Sequence, residues 1–245
     1  MAGHSKWSNI KHRKAGQDAK RAKVFTKIIR ELTVAARDGG GNIEDNPSLR
    51  TVVEKAKSAQ MPKDTMERAI ARGAGGQDGA DLVALTCEGY GPGGVAFLVE
   101  TMTDNRNRTV AEVRHIFSKS GGNLGTDGSV AYLFDKRGQI FFEEGVSEEA
   151  LFELAIEAGA DDVEVEDDGS IAVITSPEAF TQVKAQVDEA GMTPALAEIT
   201  MAPQTYAELD EEMSERIIKM IDLLEELDDV TNVYTNANLS AAYGD

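Results

Sequence analysis

Between residues 20 and 37 the apolar side chains Phe25, Ile28, Ile29, Leu32 and Ala36 recur at helical spacing and form one stripe, so the pattern predicts an amphipathic helix, ended by Gly39, Gly40 and Gly41. A second helix is expected to open with Asn46 as N-cap and Pro47 in its first position, to turn Leu49, Val52, Val53 and Ala56 inward, and to end before Met61. Pro62 restarts a third through Met66, Ala69 and Ile70, which stops at Gly73. Beyond Gly73 the period falls to two. Residues 82–88 and 95–102 read as strands joined by a glycine-rich loop at 89–94. A helix with Val110, Val113, Ile116 and Phe117 inward follows, capped by Asp104 or Asn105 and ended by Gly121-Gly122, and then a strand at 129–134. From Gln139 the order becomes strand, helix, strand, strand, helix, strand, at 139–142, 148–158, 162–166, 171–175, 177–190 and 195–201, a ferredoxin-like βαββαβ unit. Asp167-Asp168-Gly169 sits where the unit needs a hairpin turn and lacks the spacing of a calcium loop. A last helix, 209–227, and strand, 232–234, supply the two elements that the 82–134 block lacks.

These elements make an α+β protein: a three-helix bundle at 1–76, an α+β middle domain at 77–136 plus 203–245, and a ferredoxin-like domain at 137–202 inserted into it. With 41% apolar residues among 245, the chain can bury a core. No stretch approaches 18 consecutive apolar residues, and the first 21 residues place lysines and histidines where a signal peptide needs an apolar run, so a cytoplasmic location without membrane contact is expected. The single cysteine, Cys87, excludes an internal disulfide, and His4, His12 and His115 are too scattered to suggest a metal site; no cofactor is expected.

Charge changes the picture more than composition does. The formal net charge is −18, which argues against a polyanionic partner, yet the average conceals two opposed halves. Residues 1–72 hold 16 Lys+Arg and 8 Asp+Glu, a net of +8, while the other 173 residues carry −26. A basic module on an acidic body is the pattern of a chain that meets nucleic acid through one end. At 100° per residue, Lys20, Lys23, Lys27 and Arg30 cluster opposite Phe25 and Leu32 as a cationic ridge, expected to bind phosphate. Their mutual repulsion must be offset by packing or by a bound anion. Lys6, Lys11, Arg13 and Lys14 extend the ridge, and Trp7 among them is suited to stack on an unpaired base, or else packs over the bundle.

The loop at 89–94 spells G-x-G-x-x-G, but a strand follows it where the dinucleotide fingerprint needs a helix amino end. Tyr90 and Gly91 are candidates instead for loop contacts with nucleic acid, since missing side chains let backbone amides approach closely. Arg106 and Arg108, at the amino end of a helix and so misplaced for its dipole, either pair with Asp104 or serve an external anion. No nucleophile elbow, Walker loop or H-E-x-x-H occurs, and no catalytic residue is assigned.

Several segments also carry a resemblance: Met1-Ala2-Gly3-His4-Ser5-Lys6-Trp7, Asn46-Pro47 through Lys57, Met61-Pro62-Lys63-Asp64, Glu88-Gly89-Tyr90-Gly91-Pro92-Gly93-Gly94, Thr103-Asp104-Asn105-Arg106-Asn107-Arg108-Thr109 and Gly121-Gly122-Asn123-Leu124-Gly125. Together they resemble the YebC family along the whole chain. The resemblance implies a helical domain followed by two α+β domains, no catalytic activity, a cytoplasmic location in bacteria and a role in gene expression. Members are usually named transcriptional regulatory proteins that bind DNA, whereas a similar mitochondrial protein is a translational activator and bacterial relatives are linked to relief of stalled ribosomes. The residues themselves lean towards RNA: the outward face of the first helix is mostly Lys and Arg, which position on phosphates and read little sequence. An acidic body is repelled by a long duplex but can face solvent at a ribosome cleft. The alternatives are a DNA-binding transcriptional regulator and an adaptor whose basic domain binds its own acidic half.

Overall fold

A computed structural model describes residues 21–75, 82–166 and 168–240. The first three helices, α1 (Arg21–Gly39), α2 (Pro47–Ser58) and α3 (Lys63–Ala74), close around Ile28, Leu32, Ala36, Leu49, Val53, Ala56, Met61 and Ala69. Asn46 stitches the α1–α2 corner. Its Oδ1 accepts from Leu49 N at 3.0 Å as an N-cap, and its amide donates to the carbonyls of Ala35 and Gly40, both at 2.8 Å, so carbonyls at the end of α1 are satisfied by the cap of α2. Gly73 does not stop α3, which runs on to Ala74; it is buried at the crossing with α1, where a Cβ would fall 2.2 Å from the Thr33 carbonyl oxygen. Its role is close helix contact, not termination.

The middle domain is a four-stranded antiparallel sheet in the order β3-β1-β2-β9, with β1 at Val83–Tyr90, β2 at Ala96–Thr103, β3 at Asn123–Leu124 and β9 at Val230–Thr235. Helices α4 (Arg106–Ser120) and α7 (Glu211–Glu225) cover one face, around Phe97, Val99, Phe117, Ile217, Met220 and Leu224. Phe97 and Phe117 meet edge to face with centroids 5.7 Å apart. Capping follows the sequence. Asn105 accepts from Arg108 N at 3.1 Å and Asp210 from Met213 N at 2.8 Å, each satisfying an amide that the helix start leaves unpaired.

Between them lies the inserted unit. Strands β4 (Phe134–Phe142), β5 (Asp162–Val165), β6 (Ile171–Thr175) and β7 (Leu196–Pro203) order as β5-β6-β4-β7, with α5 (Glu148–Ala158) and α6 (Phe180–Glu189) on one face, the ferredoxin-like arrangement. The short pieces β8 (Ala207–Glu208), after the unit, and β10 (Ala237–Asn238), after β9, pair in parallel and bring Ala207 and Ala237 to the core of the middle domain. Residues 129–134 do not form a separate strand: a short turn at Ala131–Leu133 leads into β4, which is continuous across residues 136 and 137. Gly138 permits that continuity, because a Cβ there would lie 2.2 Å from Thr175 Oγ1 and 2.7 Å from the Phe180 ring. The turn before it has its own cause. The buried Glu88 carboxylate accepts from the backbone N–H of Gly128 (2.7 Å), Val130 (2.8 Å) and Ala131 (2.7 Å), and this ties those amides to a side chain rather than to a ladder.

Replacing Gly73 by Ala should force α1 and α3 apart and cost about 2 kcal/mol, the range of a small overpacking change. The midpoint of chemical denaturation checks it; an unchanged midpoint would mean that the helix crossing can relax.

Candidate nucleic-acid interface

The cationic ridge forms on α1 as its spacing predicts, but it is not a free surface. Lys23, Lys27 and Arg30 are half-buried against the acidic body, where they meet the carboxyl end of α7 and the turn after it. Lys23 Nζ donates to the carbonyl of Glu226, Lys27 Nζ to that of Glu225 at 2.7 Å, and Arg30 Nη1 to that of Asp228 at 2.7 Å. A helix end leaves its last carbonyls unpaired and carries the negative pole of the dipole, so three cations from another domain cap α7 from outside. Exposure of the ridge is therefore corrected for these three residues: the offset to their repulsion is an internal anion surface. Lys55, bridging Glu31 and Asn232 at 2.8 Å each, adds a second seam between the bundle and β9.

Burial without a full countercharge has a measurable sign. Desolvation lowers the pKa of Lys27 from 10.5 to about 8, with Glu225 opposing the shift and Lys23 and Lys55 adding to it.

Below the ridge sits Asp229, only 6% exposed. Its carboxylate accepts from Arg108 (2.7 Å), Thr109 Oγ1 (2.7 Å), Thr103 Oγ1 (3.0 Å) and Arg30 (3.3 Å), and its carbonyl accepts from Met102 N at 2.8 Å. Burial pushes this carboxyl up, but the hydrogen bonds from Arg108, Thr109 and Thr103 outweigh it and hold the pKa below 3.8. Arg108 is thus engaged on Asp229 and, at 2.9 Å, on Asp104, which is the internal pairing and not an external anion site. Neither Asp229 nor Glu88 was singled out from the sequence. Asp229 stands in a stretch so acidic that no local signal marks one carboxylate as buried, and Glu88, the only acid between Asp81 and Glu100, owes its donors to a segment forty residues on that its own surroundings do not announce.

The glycine loop also differs from expectation. Gly91 is buried, because the Phe97 ring and the Met220 sulfur occupy the place of a Cβ, 2.5 and 3.2 Å away, so it is a packing glycine rather than a ligand contact. Tyr90 remains accessible, its hydroxyl donating to the carbonyl of Ser129 at 3.3 Å, next to the 65% exposed Tyr132. Arg106 is exposed on α4 and lines an open groove with Arg114 and His115. Lys6, Trp7, Lys11, Arg13, Lys14 and Lys20 lie outside the described residues.

Two family models divide the chain where its architecture does: one described as the TACO1/YebC protein N-terminal domain matches residues 5–76, and one described as the TACO1/YebC second and third domain matches residues 82–237. The chain belongs to the YebC family. Among its YebC relatives, a "probable transcriptional regulatory protein" of Alcanivorax borkumensis is 62% identical over 242 residues, 98% of each chain. The "transcriptional regulatory protein PmpR" of Pseudomonas aeruginosa is 62% identical over 239 residues, 98% of this chain and 96% of that one. A crystal structure of a conserved hypothetical protein from Aquifex aeolicus, 47% identical, superposes with a TM-score of 0.76 over 91% of this chain and 92% of that one. The YebC chain is a regulator of this type, and among its described residues no helix is long and apolar enough to cross a membrane.

Two outcomes follow from the inter-domain contact. Asp229→Ala removes a buried acceptor shared by four donors and should cost about 3 kcal/mol in chemical denaturation, with the Asn replacement costing less. Lys27 binds a proton less readily folded than unfolded, so its contribution to stability rises with pH from about 8 to about 10.5. Melting temperature compared between the native chain and Lys27→Met should then show the native chain gaining on the variant from pH 7.5 to 9.5; parallel curves would refute the burial of that charge.

Proposed function

We propose that this chain is a non-catalytic regulator of gene expression that binds nucleic acid through its basic N-terminal segment and acts on translation, with RNA at the ribosome as its target. The observation that carries this reading is the charge partition, +8 over residues 1–72 against −26 over the rest. Docking consumes Lys23, Lys27 and Arg30, so the cations left to meet phosphate are concentrated at Lys6, Lys11, Arg13, Lys14 and Lys20, with Trp7 among them to stack on an unpaired base. The −26 body favours a target with gaps between its phosphates over a continuous duplex. A further support for RNA is that α1 turns its cations to protein carbonyls and leaves no polar face to read bases in a groove. The absence of catalysis is supported by Cys87, whose thiol is buried and pushed up in pKa by that burial, opposite to an activated nucleophile.

The names of the relatives favour a second reading, a DNA-binding transcriptional regulator. Co-sedimentation with ribosomes and retention on duplex DNA, at matched salt, separate the two: the first reading expects the ribosome fraction and loses to the second if duplex retention dominates. In the triple variant Lys11→Gln, Arg13→Gln, Lys14→Gln, each lost phosphate contact should lower the slope of log affinity against log salt by about 0.7 on single-stranded RNA, roughly 2 in total, with no change in melting temperature. An unchanged slope would remove the segment from the binding site.

A further inference from the structure

The ladder of the middle sheet ends early on one side. β2 pairs with β1 along its whole length, from Val83↔Thr103 to Tyr90↔Ala96. On the other side β3 covers only Gly89 and Tyr90, after which Gly125 N donates to the Glu88 carbonyl at 2.7 Å and the chain turns away. Among the described residues no strand pairs with the outer edge of residues 83–87. The pleat settles which groups that edge offers. Leu85 O accepts from Thr101 Oγ1 on the β2 side and Glu88 O accepts on the β3 side, so, at period two, the N–H and C=O groups of Ala84 and Thr86 point outward in line with those of Glu88. The segment carries none of the lysines, prolines or bulges that ordinarily blunt an edge.

Beside this edge runs an open groove of about 1060 Å³, with β1 as one wall and α4 as the other. Leu85, Val110 and Leu124 give it an apolar floor, while Arg106 and Arg114 stand on its rim opposite a single Asp127. Arg106 and Arg114 form no ion pair among the described residues, in contrast to Arg108. Glu88, at the end of the groove, keeps its charge, but its carboxylate oxygens are turned to the amides of Gly128, Val130 and Ala131.

We propose that the groove between β1 and α4 captures an extended acidic peptide segment of a partner protein, added to β1 as a strand in the row that β3 vacates at Gly125. Alternate side chains of the peptide would rest on the apolar floor, and its carboxylates would meet Arg106 and Arg114. A peptide suits this site better than a nucleic acid. The edge presents donors and acceptors in alternation at the ladder spacing, and a phosphate backbone has no donor for the carbonyls of Ala84 and Thr86. An acidic partner is repelled by most of the −26 body, so two arginines that form no ion pair among the described residues also direct where it lands.

The test titrates the full chain against fluorescein-labelled (Thr-Glu-Val-Glu)2 and its basic counterpart (Thr-Lys-Val-Lys)2 by anisotropy, with amide hydrogen exchange in parallel. Saturable binding of the acidic peptide is expected, at least tenfold tighter than the basic one, with exchange slowed at the amides of Ala84 and Thr86. The double variant Arg106→Glu, Arg114→Glu should weaken it about tenfold; both side chains are exposed, and the neutral pair Arg106→Gln, Arg114→Gln replaces it should the reversal disturb folding. Equal binding of the two peptides, or exchange unaffected at Ala84 and Thr86, overturns the proposal. So does an oligouridine octamer whose binding depends on the two arginines while the acidic peptide fails to bind.

Discussion

A carboxylate enclosed by protein must find donors for its oxygens or give up its charge, and Asp229 finds them on four side chains from three separate parts of the chain. Thr103 ends the second strand of the middle sheet, Arg108 and Thr109 belong to the first turns of α4, and Arg30 comes from the helical bundle. The donors fix more than a charge. They hold the turn between α7 and β9 against the end of β2, and so set where β9 enters the sheet, while Arg30 carries the bundle to the same point. One buried acid therefore couples the closure of the middle domain to the docking of the first. The geometry also explains why Arg108, two positions into a helix whose positive pole should repel it, is tolerated: two carboxylates within 2.9 Å outweigh an end effect of a few tenths of a kcal/mol.

The second consequence concerns what a basic helix face is for. Lysines three and four residues apart on one helix face repel mildly and suggest a polyanion opposite them, although packing or any other anionic surface can offset the repulsion. The carboxyl end of α7 is a partial polyanion built of carbonyls, with the carboxylates of Asp228 and Asp229 beside it, and it meets the same three side chains that a phosphate backbone would. Chemistry that recognises nucleic acid and chemistry that joins two domains are here the same hydrogen bonds. Burial then distinguishes them, since phosphates favour the charged form of a lysine placed on them, whereas desolvation lowers the pKa of Lys27.

How much of this was legible in the sequence follows from what periodicity reports. It reports which residues share a face, so the helices, the cap at Asn46, a cap at Asp104 or Asn105 that the structure gives to Asn105, and the ferredoxin-like order could be read. It cannot report what lies opposite a face, so the ridge was found and its partner, nearly two hundred residues away, was not. Glycine has the same ambiguity. Gly73 was read as a helix stop and Gly91 as an opening for nucleic acid to approach the backbone, whereas both are needed because a neighbour within the protein occupies the space of a side chain. Glu88 shows the limit in another form: one acid among 43, distinguished only by three amides brought to it by the fold.

The two uses of positive charge in the N-terminal third should respond differently to salt, and the difference bears on how binding is to be interpreted. Screening acts on exposed charges over about 8 Å at physiological ionic strength, so it weakens the outer pair of Lys23 and Asp228, 3.6 Å apart with the acid largely exposed. The donations of Lys27 and Arg30 run to backbone carbonyls at 2.7 Å, that of Lys27 is half-buried, and Arg30 also holds the buried Asp229, so salt has less purchase on them. Domain docking thus persists over the range in which phosphate contacts are lost to counterion competition. A steep salt dependence of nucleic-acid affinity would then count contacts made by residues 1–20 and not the opening of the bundle from α7. If the ridge were instead released to join the binding site, affinity would carry the added cost of unpairing Asp229 from Arg30, a cost independent of the nucleic-acid sequence.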